Sequence, residues 1–392
     1  MRREFFKHYY LYIKSKILAG IYIHIPYCNQ ACHYCNFHFS TSLRSMGDMV
    51  VAISKELSLR ENYLEEGIDT IYFGGGTPSL LSTEQLHYLL SEISSTFKLN
   101  QNAEITLEAN PEDITTTKAK DLIDLGFNRI SLGVQSFDDE ILKKLNRAHS
   151  KVDAVKAIQI LQTAGFTNLT IDLIYGIPEQ NLKMWESNLA LATKLNVQHL
   201  SCYALTIEEK TAFGHWQKSG KLKPVPDTKY DEEYQVMAKY LAGAGYEHYE
   251  VSNFAKTGYE SQHNSSYWQQ EPYLGLGPGA HSYNGSSRQY NVSNNATYIK
   301  ALTNDKLPFE IEKLSQSQIY NEYILTGLRT KKGIDLLRIK QNFEIDILEV
   351  HKPFLDRCMR DHLLIIDYNH IILTDKALIL ADSIIVELMI DE

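Results

Sequence analysis

HIPYCNQACHYCNF, residues 24–37, follows directly on a short apolar run, Ile21 to Ile25, and sets Cys28, Cys32 and Cys35 in the order C-x-x-x-C-x-x-C. The run reads as a strand because it is rich in isoleucine, is broken ahead by Gly20 and is stopped by Pro26. Three of the chain's five cysteines fall in this one loop, which is not the dispersed pattern of a secreted disulfide framework. The crowding points to a metal site in a reducing compartment, hence to the cytoplasm. Thiolates are the usual ligands of iron–sulfur clusters, and a cubane ordinarily takes four of them. A loop with three leaves one iron open to a substrate or cofactor. Zinc is the competing reading, with His24, His33 or His38 as fourth ligand, although structural zinc normally draws on two separated ligand pairs.

Working outward, β-rich runs recur at Thr70 to Phe73, Glu104 to Glu108, Arg129 to Val134, Asn168 to Leu173 and His199 to Tyr203. Helical patterns lie between them. Val50, Ile53, Leu57 and Leu64 share one helix face, and Ser82 with Gln85 forms a capping box ahead of Leu86, Leu89, Leu90 and Ile93. Six βα units with right-handed crossovers predict a parallel α/β sheet, open or curled into part of a barrel over residues 21–210. Ligand chemistry belongs at the C-terminal ends of such strands. There the sequence offers YFGGGTPS at 72–79, Glu108, Gln135, Arg147 and Asp172. Singly each is an ordinary loop or cap residue; together they form a ring around one mouth.

Residues 211–308 read as a loop-rich region dense in Tyr, Gly, Ser and Asn. Residues 309–392 give a capping box at Ser315 and Gln318, two short helices, the hairpin LLIIDYNHIILT and a last helix from Lys376, the order of a winged-helix-like α+β domain. That domain carries ten Lys and Arg against fifteen Asp and Glu, so a DNA-binding regulator with the cluster as sensor is a poor fit. The whole chain, at −9, likewise lacks the basic balance of a phosphate-binding protein. No run is long and apolar enough to span a bilayer. Residues 1–20, MRREFFKHYYLYIKSKILAG, form a basic, aromatic N-terminal extension without the apolar core of a secretory signal.

The C-x-x-x-C-x-x-C loop after the first strand of a βα array resembles that of the radical S-adenosylmethionine (radical SAM) superfamily. The resemblance implies a partial (β/α)6 barrel, a [4Fe-4S] cluster on Cys28, Cys32 and Cys35, and S-adenosylmethionine chelated by the open iron and cleaved to a 5′-deoxyadenosyl radical. It further implies cofactor contacts at Tyr22, Gly75, Gly76, Thr77, Glu108, Gln135, Arg147 and Asp172, with Asp172 suited to ribose hydroxyls and Arg147 to a carboxylate.

Within that superfamily the sequence is most similar to the branch that contains oxygen-independent coproporphyrinogen III oxidase and a haem chaperone. The oxidase pattern has a further cysteine two residues after the third; here that position is Phe37, which cannot replace a thiol. HNSSYW, residues 263–268, matches the H-N-x-x-Y-W motif of the chaperones. His263 is the expected haem ligand, Asn264 belongs to the same motif, and Tyr267 and Trp268 are expected to stack on the macrocycle. The alternative for His263 is a satisfied loop histidine beside ordinary aromatic core. GLGPGAHS, residues 275–282, also fits the branch and makes His281 a bystander beside a tight turn. The favoured expectation is a haem chaperone that binds haem as cargo and delivers it to haem-requiring acceptors, with coproporphyrinogen III oxidation as the alternative. It includes an electron donor and no nucleic acid, and it leaves room for a homodimer and for acceptors at the membrane surface. Cys202 and Cys358 read as small buried hydrophobes.

Overall fold

Alternation along the central part of each strand decides the architecture. In β1 (Ala19–Ile25), β2 (Ile68–Gly75), β3 (Leu99–Ala109), β4 (Arg129–Gln135), β5 (Leu169–Tyr175) and β6 (His199–Ala204), one set of alternate residues is mainly apolar and the other mainly polar, with exceptions such as Asp69, Gln101 and Ile174. Ile21, Ile23, Ile71, Phe73, Leu107, Ile130, Leu132, Ile171, Leu173 and Leu200 are fully buried and belong to the main hydrophobic core. The opposite face carries Tyr22, Thr70, Tyr72, Glu104, Glu108, Arg129, Ser131, Thr170, Asp172, His199 and Ser201. Successive side chains on a strand point to opposite sides of the sheet, so the six strands present an apolar face to the helices and a polar face to the barrel interior. A barrel interior filled by Val, Ile and Leu would be a plain core; this one is built as a chamber.

The computed structural model describes residues 19–391. The expected N-terminal extension therefore lies outside the described residues, except that Ala19 and Gly20 already belong to β1. Strands β1 to β6 pair in parallel and in sequence order. The helix Met46–Leu59 between β1 and β2 starts without a side-chain cap, whereas those that follow start on one: Ser82 and Ser150 make capping boxes, and Asp138 and Asn181 cap the helices Asp139–Lys144 and Leu182–Lys194.

Residues 211–308 are not loop-rich, contrary to the expectation. They hold the helices Ala212–Lys218, Asp227–Gly243, Gln262–Trp268 and Asn295–Thr303, together with β7 (Glu247–Glu250), β8 (Asn253–Ala255), β9 (Tyr273–Leu276), β10 (His281–Tyr283) and β11 (Ser287–Asn291). The helix Asp227–Gly243 buries Glu233, Tyr234, Met237 and Leu241, too mixed a face to stand out as apolar periodicity. The strands are short and extend the sheet on both sides. With β12 (Phe309–Lys313) the order is β12-β11-β10-β9-β1-β2-β3-β4-β5-β6-β8-β7, in which β9 runs parallel to β1 and the remaining added strands are antiparallel.

The C-terminal part has the expected order. Helices Gln316–Gly327, Leu336–Phe343 and Lys352–Arg360 precede a hairpin of β14 (Leu364–Asp367) and β15 (His370–Leu373), which joins β13 (Ile334–Asp335) in a three-stranded sheet. The last helix is Ala381–Leu388, a few residues later than expected, because a short 3₁₀ turn at Leu378–Leu380 precedes it. A satellite core of Ile141, Leu145, Ile174, Ile177, Leu205, Phe213 and Leu222, with Tyr34 and Trp216 against it, underlies the cysteine loop. Among the described residues no helix is long and apolar enough to cross a membrane.

Candidate functional site

The cysteine loop is held at both ends and in the middle. Cys28 N–H donates to Ser40 O at 3.1 Å and Ser40 N–H to Pro26 O at 2.9 Å, which closes the base of the loop. Gln30 reaches across to Asn146, whose side-chain amide donates to Ala31 O at 2.7 Å. His33 N–H donates to Leu145 O at 3.1 Å, its Nδ1 lies 2.9 Å from Lys144 O, and its ring sits edge-on to Trp216 at 4.7 Å. The satellite core thus fixes the loop to the elements after β4 and β6.

The three sulfurs face a cavity of about 470 Å³ at the C-terminal strand ends. Gly75, Gly76, Thr77, Glu108, Gln135, Arg147 and Asp172 line the same cavity, together with Tyr34, Phe37, Asn110, Glu112 and Tyr203. Thr77 Oγ1 donates towards Cys28 Sγ at 3.4 Å, and an Arg147 guanidinium nitrogen towards Cys32 Sγ at 3.4 Å. Arg147 also donates to Asn110 Oδ1 at 2.6 Å and Gly133 O at 2.8 Å, while its Nε is buried with no partner. A buried donor without an acceptor costs about 1–3 kcal/mol, and the guanidinium as a whole, which lines the cavity, brings a positive charge suited to an anionic group there. Burial pushes the Cys28 thiol up to about 11 and raises that of Cys35. Bound iron, by its charge, would be needed to hold Cys28 as thiolate.

Backbone shape serves the same mouth. Gly75 has φ +103° at the end of β2, and a Cβ there would come 2.4 Å from the His24 ring. Gln135 also takes a left-handed φ of 65°, beside an irregularity in the β4–β5 register, which turns its side chain into the cavity. Behind the mouth, Glu108 accepts from Tyr72 OH at 2.8 Å and from Gly75 N–H at 3.2 Å. Burial, with a further push from Asp172, raises its carboxyl to about 7. Asp172 accepts from Ser131 Oγ at 3.2 Å and is raised by burial to about 6.

Tyr22 does not reach the cavity. Its hydroxyl is 3.1 Å from His24 Nδ1 and its ring stacks beneath on Tyr72. The histidines of the zinc reading are committed elsewhere: His24 Nε2 is 2.9 Å from His38 O, and His38 Nε2 is 2.8 Å from Asn295 Oδ1. Among the described residues no three His, Cys, Asp or Glu side chains converge on a single-ion site.

The HNSSYW motif forms the helix Gln262–Trp268, capped by Ser261. Glu104, on the inner face of β3, accepts from Gln262 N–H at 3.2 Å and His263 N–H at 3.1 Å. A carboxylate is well placed at a helix N-terminus, where the first N–H groups have no partner in the helix. His263 is buried, with Nδ1 2.7 Å from Thr70 Oγ1 and Nε2 2.8 Å from Tyr267 OH. Burial lowers its pKa to about 3, so the imidazole is neutral. Asn264 lines a small polar chamber of about 40 Å³ with Glu108, Arg129, Asp172 and Tyr203, and Trp268 is half-buried. The structure therefore brings the cysteines and seven of the eight expected cofactor residues together, and keeps His263 apart from them. Sequence reasoning missed Thr70, Tyr72, Glu104, Arg129 and Asn110; the signal for most of them is the alternation of polar residues along the strands.

Residues 22–192 match the Radical SAM superfamily family model, and residues 314–380 match the HemN C-terminal domain. The chain is 36% identical to heme chaperone HemW of Lactococcus lactis, over 95% of this chain and 97% of that protein. It is 36% identical to heme chaperone HemW of Bacillus subtilis over 83% and 87%, and 40% identical to that of Escherichia coli over 67% and 69%. Among solved structures, coproporphyrinogen III oxidase (HemN) of Escherichia coli superposes with a TM-score of 0.82 over 95% of this chain and 90% of that one. At 22% identity that likeness concerns the fold.

Proposed function

This chain belongs to the HemW family of the radical SAM superfamily, and from that premise we propose that it is a cytoplasmic haem chaperone that binds haem and delivers it to haem-requiring acceptor proteins. Cys28, Cys32 and Cys35 would hold a [4Fe-4S] cluster, and the adjoining cavity would hold S-adenosylmethionine. A cluster on three thiolates leaves one iron to take the amino and carboxylate groups of that cofactor. Arg147, with its unpartnered Nε, offers a positive donor to a carboxylate; Asp172 and Glu108 offer acceptors to hydroxyl and amino groups. Gly75 and Gly76 let backbone approach the ligand, and Thr77 donates towards Cys28. Acceptors at the membrane surface, an electron donor and a homodimer belong to the same reading.

The observation that carries chaperone rather than oxidase is Phe37. It sits on the cysteine loop, lines the cavity and is 74% exposed, so a hydrocarbon ring stands where the oxidase pattern has a thiol. His263, Asn264, Tyr267 and Trp268 are the proposed haem contacts, and ligation by His263 requires that one of its two hydrogen bonds open. The test is paired: haem titration of the reconstituted protein followed in the Soret band, and anaerobic incubation with coproporphyrinogen III, S-adenosylmethionine and reductant. A saturable Soret shift that weakens in His263→Ala, without protoporphyrinogen IX, is the expected result. Sustained formation of that product overturns the reading.

A further inference from the structure

His263 stands at one end of a tight chain of contacts whose other end is the cofactor cavity. Its ring stacks on Tyr72 at 5.0 Å with the planes 22° apart, and more distantly on Tyr22 at 6.4 Å and 26°. Tyr72 donates to Glu108, and the second oxygen of Glu108 accepts from Gly75 N–H. There is no slack along this line. A Cβ at Gly20 would stand 2.8 Å from Thr70 Oγ1 and 3.3 Å from the His263 ring, and one at Gly74 would stand 2.9 Å from Tyr72 and 3.0 Å from Glu108. Two glycines have therefore been spent to let the imidazole, Tyr72 and Glu108 close up against one another.

A neutral imidazole has one N–H and one lone pair. In either tautomer the lone-pair nitrogen of His263 is already taken by a hydroxyl, Thr70 on one side or Tyr267 on the other. Iron must displace one of them. The ring is enclosed by Thr70, Tyr72 and Tyr267, with no space for a macrocycle beside it, so a haem ligand here has to swing away from Tyr72.

We propose that His263 is a positioning residue of the cofactor cavity, acting through Tyr72 on Glu108, and that it can serve haem iron only by leaving that post, so that haem and S-adenosylmethionine bind antagonistically. The proposal rests on the haem and cofactor reading above. Because linkage is reciprocal, each ligand weakens the other by the same factor, and couplings of this kind are typically about 5- to 150-fold.

The experiment uses the full chain with its cluster reconstituted and no reductant, so that S-adenosylmethionine stays intact. Equilibrium dialysis measures that cofactor, and the Soret band measures haem with and without saturating cofactor. His263→Ala is expected to bind S-adenosylmethionine about fivefold or more weakly with haem absent. In the unsubstituted protein, saturating cofactor is expected to raise the haem Kd by a similar factor. Thr70→Val separates positioning from general damage. It removes the partner of Nδ1 alone, so it should weaken the cofactor and tighten haem, whereas a merely destabilised protein loses both. Unchanged cofactor affinity in both variants overturns the positioning role. An equal haem Kd with and without cofactor overturns the antagonism, even where His263→Ala has lost haem. If His263→Ala binds haem as the unsubstituted protein does, the haem assignment fails and the antagonism with it, independently of the dialysis result.

Discussion

The cysteine loop and the helix Gln262–Trp268 carry motifs of similar length, and the chain treats them in opposite ways. In the loop, three sulfurs open on a cavity, donors from Thr77 and Arg147 point at two of them, and Arg147 Nε waits without a partner. In the helix, both nitrogens of the one candidate ligand are satisfied and the ring is stacked and enclosed. The first region is presented and the second is held. A motif states which chemistry a segment is capable of; hydrogen-bond satisfaction states whether that chemistry is available without a rearrangement. Buried polar groups are normally paired, so the unpaired Nε of a guanidinium that lines the cavity points to a ligand more strongly than the fully paired His263 does.

The largest expected effect tests whether the two regions are independent at the level of metal. Anaerobic reconstitution should give about four irons per chain, the content of one cubane. Cys32→Ala should lose them, because a cluster cannot be kept on two of the three loop thiolates. His263→Ala should keep its full iron content, since no atom of His263 reaches the loop cavity. Iron analysis of the two variants side by side breaks the comparison if Cys32→Ala retains its cluster or His263→Ala loses it.

A smaller effect is expected at the glycines that shape the mouth. Gly75→Ala adds a Cβ at φ +103°, 2.4 Å from a His24 ring that is pinned by Tyr22 on one nitrogen and His38 O on the other. Strain and overlap together should cost about 3 kcal/mol or more. Gly126→Ala has a similar φ of +92° with open space around it, and should cost about 1 kcal/mol. Denaturant unfolding of both variants measures the difference; equal losses would mean that the fit against His24 contributes nothing.

Much of this molecule is legible in its residues, and the illegible parts have identifiable causes. The six parallel strands announce themselves because most are short and apolar on alternate residues, although β6, HLSCYA, has no β-branched residue and β3 runs to eleven residues. The cysteine loop is legible because its spacing is rare and its chemistry narrow. The polar ring at the mouth follows from its place at strand ends. The helix Asp227–Gly243 was hidden by a buried face built from Glu233 and Tyr234 as much as from Met237 and Leu241. Strands β7 to β11 are three to five residues each, too short to show a period. The enclosure of His263 was hidden for a different reason: its partner Thr70 lies 193 residues away, and no local pattern encodes a long-range hydrogen bond.

The smallest expected effect is in the response of the cofactor-free protein to pH, where the carboxylates of the loop's cavity, Glu108 and Asp172, and His263 of the helix pull in opposite directions. Glu108 and Asp172 are raised by burial from their ordinary values to about 7 and about 6. The folded protein therefore holds these protons more tightly than the unfolded chain, and the stability they contribute is present in acid and lost as pH rises through about 6 to 7. His263 is lowered by burial to about 3, so the unfolded chain binds its proton more readily. Its contribution is intact above the ordinary histidine value and is lost as pH falls towards 3. Between about pH 5 and 6.5 the two trends oppose each other and flatten the profile of the unsubstituted protein. Glu108→Gln removes part of the loss on the alkaline side, so its stability relative to the unsubstituted protein should climb between pH 5 and 7 and level off above. The gain should be about 1–2 kcal/mol once solvent access through the cavity is allowed for. His263→Gln should show its own relative gain below pH 6, where there is no longer a buried imidazole to protonate. Thermal unfolding across pH 4–8 distinguishes the two variants, and parallel profiles would mean that Glu108 and His263 do not differ in the way their burial implies.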